Sequence, residues 1–205
     1  MREIRDIQEP AHQELDDPIK DNLVCRQEIP LRWRKQEQPL GDGPWMMIHS
    51  ENVKLMEVLV SGEDAADLEQ QRDREVFKEI RKLDAKLNLM MSWMGRILWQ
   101  QQEMPSLQVV NLSAKGLQFY VNANKTEPQM AENDELFMEL FLEPRYPQPF
   151  TTLAQVIQVI PQGGACEVSV RFIQLSEPNQ QWLDKYVFRL HRRQVAMSRK
   201  AQTVS

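Results

Sequence analysis

The chain has 205 residues, 41% of them hydrophobic and 27% charged, with a formal net charge of −5, which suits one elaborated globular domain or one domain with an accessory module. The acidic balance argues against a general nucleic-acid binder such as a DNA-binding protein, which needs a basic face spread over many phosphates. No apolar run reaches the roughly 20 residues that cross a bilayer, and the two distant cysteines, Cys25 and Cys166, lack the spacing of a structural zinc site and read as thiols in a reducing compartment.

The first segment, MREIRDIQEPAHQELDDP, is polar and has no apolar stretch of the signal-peptide kind, so a cytoplasmic protein with a mobile N-terminal segment over 1–22 is expected. Glu28 to Lys35 alternates Ile29, Leu31 and Trp33 against Pro30, Arg32 and Arg34, the period of a strand. A Gln-, Pro- and Gly-rich loop follows. Ser50 then opens a helix with Val53, Met56, Leu59 and Val60 on its apolar face, ended by Ser61-Gly62. The charged stretch Glu63 to Glu75 reads as a connection.

The strongest periodic signal comes next. Val76, Ile80, Leu83, Leu87, Met90, Met94 and Ile97 step alternately by four and three, an a/d heptad seam sustained over about three heptads. Phe77, Met91 and Leu98 add a stripe at the e position, Trp93 and Trp99 flank the seam, and Pro105 stops the helix. One apolar stripe suffices for packing within the chain. A wider a/d/e stripe leaves a second surface for another copy. Both uses remain open on periodicity alone.

Beyond Pro105 the pattern turns to strands. Leu107 to Leu112 and Gly116 to Val121 flank the turn Asn111-Leu112-Ser113-Ala114-Lys115-Gly116. Its amide and hydroxyl side chains favour local turn hydrogen bonds, and Gly116 supplies positive φ or room for a close backbone approach. Glu135 to Leu142 carries Leu136, Met138, Leu140 and Leu142 on one face. Thr151 to Ile160 and Cys166 to Leu175 are joined by Pro161-Gln162-Gly163-Gly164, a hairpin loop. A helix from Pro178 to Arg199 follows, with Trp182, Leu183, Tyr186, Val187, Leu190 and Val195 as its buried face. These elements predict an α+β protein built on a small antiparallel β-barrel, which leaves no exposed sheet edge.

Asn111, Ser113 and Gly116 fall on the positions of the [D/N]xSxxG motif, and the chain here resembles the PilZ family, whose members include receptors for cyclic di-GMP. Phe150 to Ile160 resembles a middle barrel strand of that family, Val168 to Ile173 its last long strand, and Gln181 to Arg193 its C-terminal helix. The resemblance runs from about Gln27 to Lys35 and from about Leu107 to Arg193. The region between is similar to the long-helix insertion of tetrameric PilZ proteins of gamma-proteobacteria such as xanthomonads. The resemblance therefore implies a PilZ-like β-barrel over 23–200 with a C-terminal helix, an inserted long-helix oligomerisation module at 48–104, and a short tail at 201–205. It also implies a homo-oligomer, a tetramer by analogy, through Val76, Ile80, Leu83, Leu87, Met90, Met94 and Ile97.

A receptor for cyclic di-GMP, a dianion with two guanines, needs arginines for phosphate and for the guanine O6/N7 edge. PilZ receptors supply them from an RxxxR motif before the first strand. This chain offers Arg26 there, and Arg32 and Arg34 within the strand, with no RxxxR pair in that region. The expected ligand site is Asn111, Ser113, Gly116, Arg32 and Arg34. A second basic group, Arg189, His191, Arg192, Arg193, Arg199 and Lys200, suits a helix C-terminus, where the dipole favours positive charge, or an anion or partner patch. Enzyme chemistry is not expected. His12, His49 and His191 are scattered, the acidic pairs Asp16-Asp17, Asp64-Asp67 and Glu132-Asp134 read as solvated loop charge, and the chain contains no Gly-rich phosphate loop, HExxH pair or GxSxG elbow. Two functions follow: a cyclic di-GMP receptor that needs no other cofactor, or a degenerate PilZ adaptor without nucleotide that oligomerises and presents its barrel to a protein partner in pilus or motility control.

Overall fold

The computed structural model describes residues 18–20, 22–67, 80, 82–83, 85–87, 89–91, 93–94, 97, 105–122, 130–143 and 146–203. The first strand, β1 (Val24–Lys35), is long enough to serve two neighbours. Its first half pairs with β2 (Leu107–Ser113) and its second half with β4 (Glu135–Leu140), from Val24↔Ser113 through Pro30↔Leu107 and then from Leu31↔Leu140 to Lys35↔Leu136. With β3 (Gly116–Asn122), β5 (Phe150–Gln162) and β6 (Ala165–Ile173), the strands close a barrel in the order β1-β2-β3-β6-β5-β4, every pair antiparallel.

Alternation drives this closure. Every second residue of each strand turns inward, and the interior fills with Leu112, Leu117, Phe119, Met138, Phe150 and Val170, each at most 1% exposed. The strand face predicted from Leu136 to Leu142 is buried as expected, although β4 itself ends at Leu140. A register shift between Val156 and Gln158 bulges β5, bending the strand as barrel curvature requires. Gly163 and Gly164 both take positive φ, 51° and 96°, the conformation a tight two-residue hairpin demands.

Two helices dress the barrel. Helix α1 (Asp42–Asp67) starts eight positions before the expected Ser50 and continues through Ser61-Gly62. Packing sets the earlier start. Trp45 is 8% exposed, with its ring centroid 6.5 Å from Phe137, so the segment expected as loop has tertiary contacts that stabilise it as helix. Pro44 fits the first turn, where its missing N–H costs nothing. A glycine inside a helix costs only about 1 kcal/mol, so Gly62 does not end it. Asp64 and Asp67 consequently lie in the last turns of α1, not in a loop. The buried face of α1 consists of Asn52, Leu55, Met56 and Val60, while Val53 and Leu59 are half-buried.

Helix α2 (Glu177–Thr203) packs on the barrel through Leu183, Tyr186 and Val187. The Tyr186 hydroxyl donates to the Leu142 carbonyl at 3.2 Å, and burial pushes its pKa up to about 12. The Cys25 thiol donates to the Val187 carbonyl at 3.3 Å, and burial raises its pKa. Cys25 and Cys166 are free, buried and half-buried respectively.

One buried amide ties α1 to the barrel. Asn52, 2% exposed, donates to the Thr151 carbonyl at 2.7 Å and accepts from the Thr151 N–H at 2.9 Å. This bidentate contact satisfies the backbone at the start of β5. Replacing Asn52 by Ala leaves both backbone groups without their partner, and the folded state is expected to lose about 2–3 kcal/mol. The urea midpoint reads the loss directly, and an unchanged midpoint would mean that solvent replaces the amide.

Of the heptad positions, Ile80, Leu83, Leu87, Met90, Met94 and Ile97 are helical, and Val76 lies outside the described residues. The N-terminal reading likewise falls on positions outside them, apart from 18–20 and 22. No helix among the described residues is long and apolar enough to cross a membrane.

Candidate functional site

The Asn-x-Ser-x-x-Gly turn joins β2 to β3 at one end of the barrel. Ser113 is fully buried. Its Oγ accepts from the Gly116 N–H at 2.9 Å and the Lys115 N–H at 3.2 Å, and donates to the Gly116 carbonyl at 3.1 Å. The hydroxyl is fully used in closing the turn. Gly116 needs no positive φ. Its role is close approach: a Cβ there would lie 2.2 Å from the Val170 carbonyl oxygen and 2.7 Å from the Pro18 Cβ. Helix α2 covers the same corner, with the Gln180 side-chain amide donating to the Ala114 carbonyl at 2.9 Å. Two of the three motif residues therefore hold together the meeting point of turn, N-terminal segment and C-terminal helix.

Asn111 lies on the outer face of β2, between the inward-facing Val110 and Leu112. Its amide donates to Gln118 Oε1 at 2.7 Å. Gln118 Nε2 donates to Glu167 Oε1 at 2.9 Å, and the Tyr120 hydroxyl donates to Glu167 Oε2 at 2.5 Å. That hydrogen bond, with burial and the carboxylate charge behind it, raises the Tyr120 pKa. In register, Arg26 of β1 stands opposite Asn111, which stands opposite Gln118, which stands opposite Ser169. A polar row thus crosses three strand junctions on the outside of the barrel, with an exposed arginine at one end.

Arg32 and Arg34 are not part of that row. They lie six and eight residues beyond Arg26 on β1, a separation of about 20 Å or more at the rise of an extended strand, and they face β4. Arg32 pairs with Glu139 at 2.9 Å, and the Arg34 guanidinium lies 4.6 Å from the Phe137 ring centroid. Both line an open cleft of about 1110 Å³ with Trp33, Lys35, Gln38 and Gln108. Lys35 in turn holds Asp134 at 2.7 Å, a bond that lowers the Asp134 pKa. The structure does not bring Arg32 and Arg34 together with Asn111, Ser113 and Gly116. The alternation that marked these arginines as one strand face could not reveal that β1 changes partner between Pro30 and Leu31. Arg26, the arginine that does stand beside Asn111, was visible in the sequence, but its neighbour became apparent only from the register.

His49 on α1 shares a 2.9 Å hydrogen bond with the buried Asn179 of α2, and burial lowers its pKa. In the basic stretch of α2, Arg189 is half-buried and Arg192, Arg193 and Arg199 are exposed. Gln194, within that stretch, donates to the Arg26 carbonyl at 2.7 Å, so the helix C-terminus lies along β1.

Fold and turn together define a PilZ-type barrel: closed, six-stranded and antiparallel, with an Asn-x-Ser-x-x-Gly corner under a C-terminal helix. Residues 56–200 match the family described as the atypical PilZ domain, cyclic di-GMP receptor, and the chain belongs to that atypical PilZ family. Domains of this family are non-catalytic receptor or adaptor domains. The chain is similar in structure to a tetrameric PilZ domain from Xanthomonas campestris, described as self-assembled via an unusual helical bundle. The TM-score is 0.67 and the identity 24%, over 86% of this chain and 92% of that one. It also shares 18% identity with the PilZ domain of YcgR from Escherichia coli, solved with c-di-GMP, over 46% of this chain and 78% of that one, with a TM-score of 0.38. No curated protein matches the chain.

Proposed function

We propose that this protein is a cytoplasmic PilZ adaptor that acts by self-assembly through its heptad helix and presents its barrel to a protein partner, without nucleotide as an obligatory ligand. One observation carries the reading: Ile80, Leu83, Leu87, Met90, Met94 and Ile97 are each 51–59% exposed in the single chain. An apolar stripe of that length costs solubility unless another copy covers it. The helical-bundle tetramer of the similar Xanthomonas protein supports the same use of an inserted helix. On the ligand side, the turn hydroxyl and glycine are engaged internally and Arg32 is engaged by Glu139, which supports a role without nucleotide.

A second reading rests on a different observation. Arg26 stands opposite Asn111 on the outer face, and the family is described as a cyclic di-GMP receptor. A receptor here would use the Arg26–Asn111 row in place of Arg32 and Arg34. Calorimetric titration with cyclic di-GMP separates the two. The adaptor reading predicts no binding heat at high ligand concentration. Micromolar binding that disappears in Arg26→Ala/Asn111→Ala would overturn it in favour of the receptor.

A further inference from the structure

Strand β1 exchanges partners halfway along, and the exchange leaves a stretch of sheet edge. β2 starts at Leu107, opposite Pro30, so it does not accompany β1 beyond that point. Two bonds fix the backbone direction in the second half. The Pro30 carbonyl accepts from the Phe141 N–H at 3.1 Å, and the Gln36 N–H donates to the Glu135 carbonyl at 2.8 Å. Pro30 and Gln36 therefore point toward β4, and the period of two adds Arg32 and Arg34. Trp33 and Lys35 aim their N–H and C=O groups at the opposite side, where β2 has ended. No backbone hydrogen bond reaches these groups from the described residues. The open cleft of about 1110 Å³ runs along this edge, with Trp33 and Lys35 on one side and Pro105 and Ser106 at its end.

Side chains restrict what can fill it. On the inward face Leu31 is buried, and Trp33 packs on Phe119 with ring centroids 6.4 Å apart. On the outward face Arg32 and Arg34 are exposed. Glu139 pairs with Arg32 and Asp134 with Lys35, whereas no acid among the described residues pairs with Arg34. The Arg34 guanidinium lies over the Phe137 ring, a stacking that leaves its edge N–H groups for an acceptor. A second copy does not suit this edge. Antiparallel pairing of two such edges about Trp33 sets Arg32 against Arg34 twice, and like charges directly opposite are destabilising. A strand with acids opposite the arginines and an apolar residue opposite Trp33 satisfies both faces at once.

We infer that this edge of β1 receives an extended segment of a partner protein as an added antiparallel strand, in the place a longer β2 would take. Its acidic residues alternate against Arg32 and Arg34, and the apolar residue between them lies beside Trp33. Backbone pairing supplies the attachment and the alternate side chains the selectivity. The site presupposes the adaptor reading above and gives its partner a chemistry.

Fluorescence anisotropy of a labelled, capped peptide alternating valine and glutamate tests the site on the full chain. The expected result is saturable binding that weakens about tenfold when the valine nitrogens are methylated, since each loses a hydrogen bond to the edge. A similar weakening is expected with Arg34→Glu, which sets like charges together, and with lysine in place of glutamate. Methylation alters only the probe, so it cannot act through misfolding. No binding of the acidic peptide overturns the inference. So does equal binding of the methylated peptide, which would mean attraction by charge without strand pairing. Tighter binding of a peptide of residues 1–17 would assign the edge to this chain's own acidic segment and overturn it as well. The calorimetric titration with cyclic di-GMP separates the two levels. Nucleotide binding removes the adaptor reading, whereas a chain that binds neither nucleotide nor peptide removes this site alone.

Discussion

Replacing Gly116 by Ala is expected to lower the stability of the fold by about 3 kcal/mol, the upper part of the range for overpacking a tight interior. For a chain of this size that corresponds to a fall in Tm of roughly 6–12 °C. The new methyl group would sit 2.2 Å from the Val170 carbonyl oxygen, backbone of a central barrel strand, and 2.7 Å from Pro18. Pro18 can move. Val170 is held in register with Leu117 and Val156, so relief has to come from opening the β3–β6 ladder or displacing the turn. A differential scan of the variant beside the wild type measures the effect. An unchanged Tm would show that the turn yields, and the motif glycine would then need a different explanation.

The second large effect lies on the helix. Leu87→Asp is expected to reduce any assembly to a single chain of 24.1 kDa while leaving barrel unfolding near the wild-type value. Leu87 is 51% exposed in the single chain, so the substitution removes little from the interior of a monomer. In a helical seam the same aspartate faces apolar side chains from another copy, and a charge buried there without a partner is strongly unfavourable. Light scattering gives the mass and a urea titration the stability. An assembled Leu87→Asp protein would count against the seam as the interface. A monomeric but unfolded one would mean that the helix supports the barrel itself.

The two results address different layers of the molecule. Gly116 tests whether the motif corner is an architectural joint. Leu87 tests whether the inserted helix works between copies. If both behave as expected, the motif and the heptad helix have separate roles, one holding the barrel together and the other joining barrels. The polar row from Arg26 to Glu167 is left as the outward face on which the receptor reading depends.

Much of this arrangement was legible in the chain. Strands were readable wherever one face is buried, because alternation has a period of two: Leu136, Met138 and Leu140 point inward as their spacing requires. The Gly163-Gly164 turn was readable because positive φ at two successive positions selects glycine. The α1 boundaries were not readable. The segment from Asp42 to His49 is helical because Trp45 packs on Phe137, a contact across more than ninety residues that local propensity cannot register. The spacing among the residues of the expected ligand site was not readable for the same reason. Arg32 and Arg34 share a strand face, and that much the sequence shows. Their separation from Asn111 follows from the exchange of partners along β1, from β2 to β4.

The amino-acid sequence by itself determined the barrel strands, the heptad face and the Asn-x-Ser-x-x-Gly turn, because each is a local or periodic property of neighbouring residues. Only the tertiary structure decided that Ser113 and Gly116 are buried and engaged within the turn, that Arg26 rather than Arg32 or Arg34 stands beside Asn111, and that α2 covers the turn. Those outcomes depend on strand register and on helix docking, and both are settled by contacts between residues far apart in the chain.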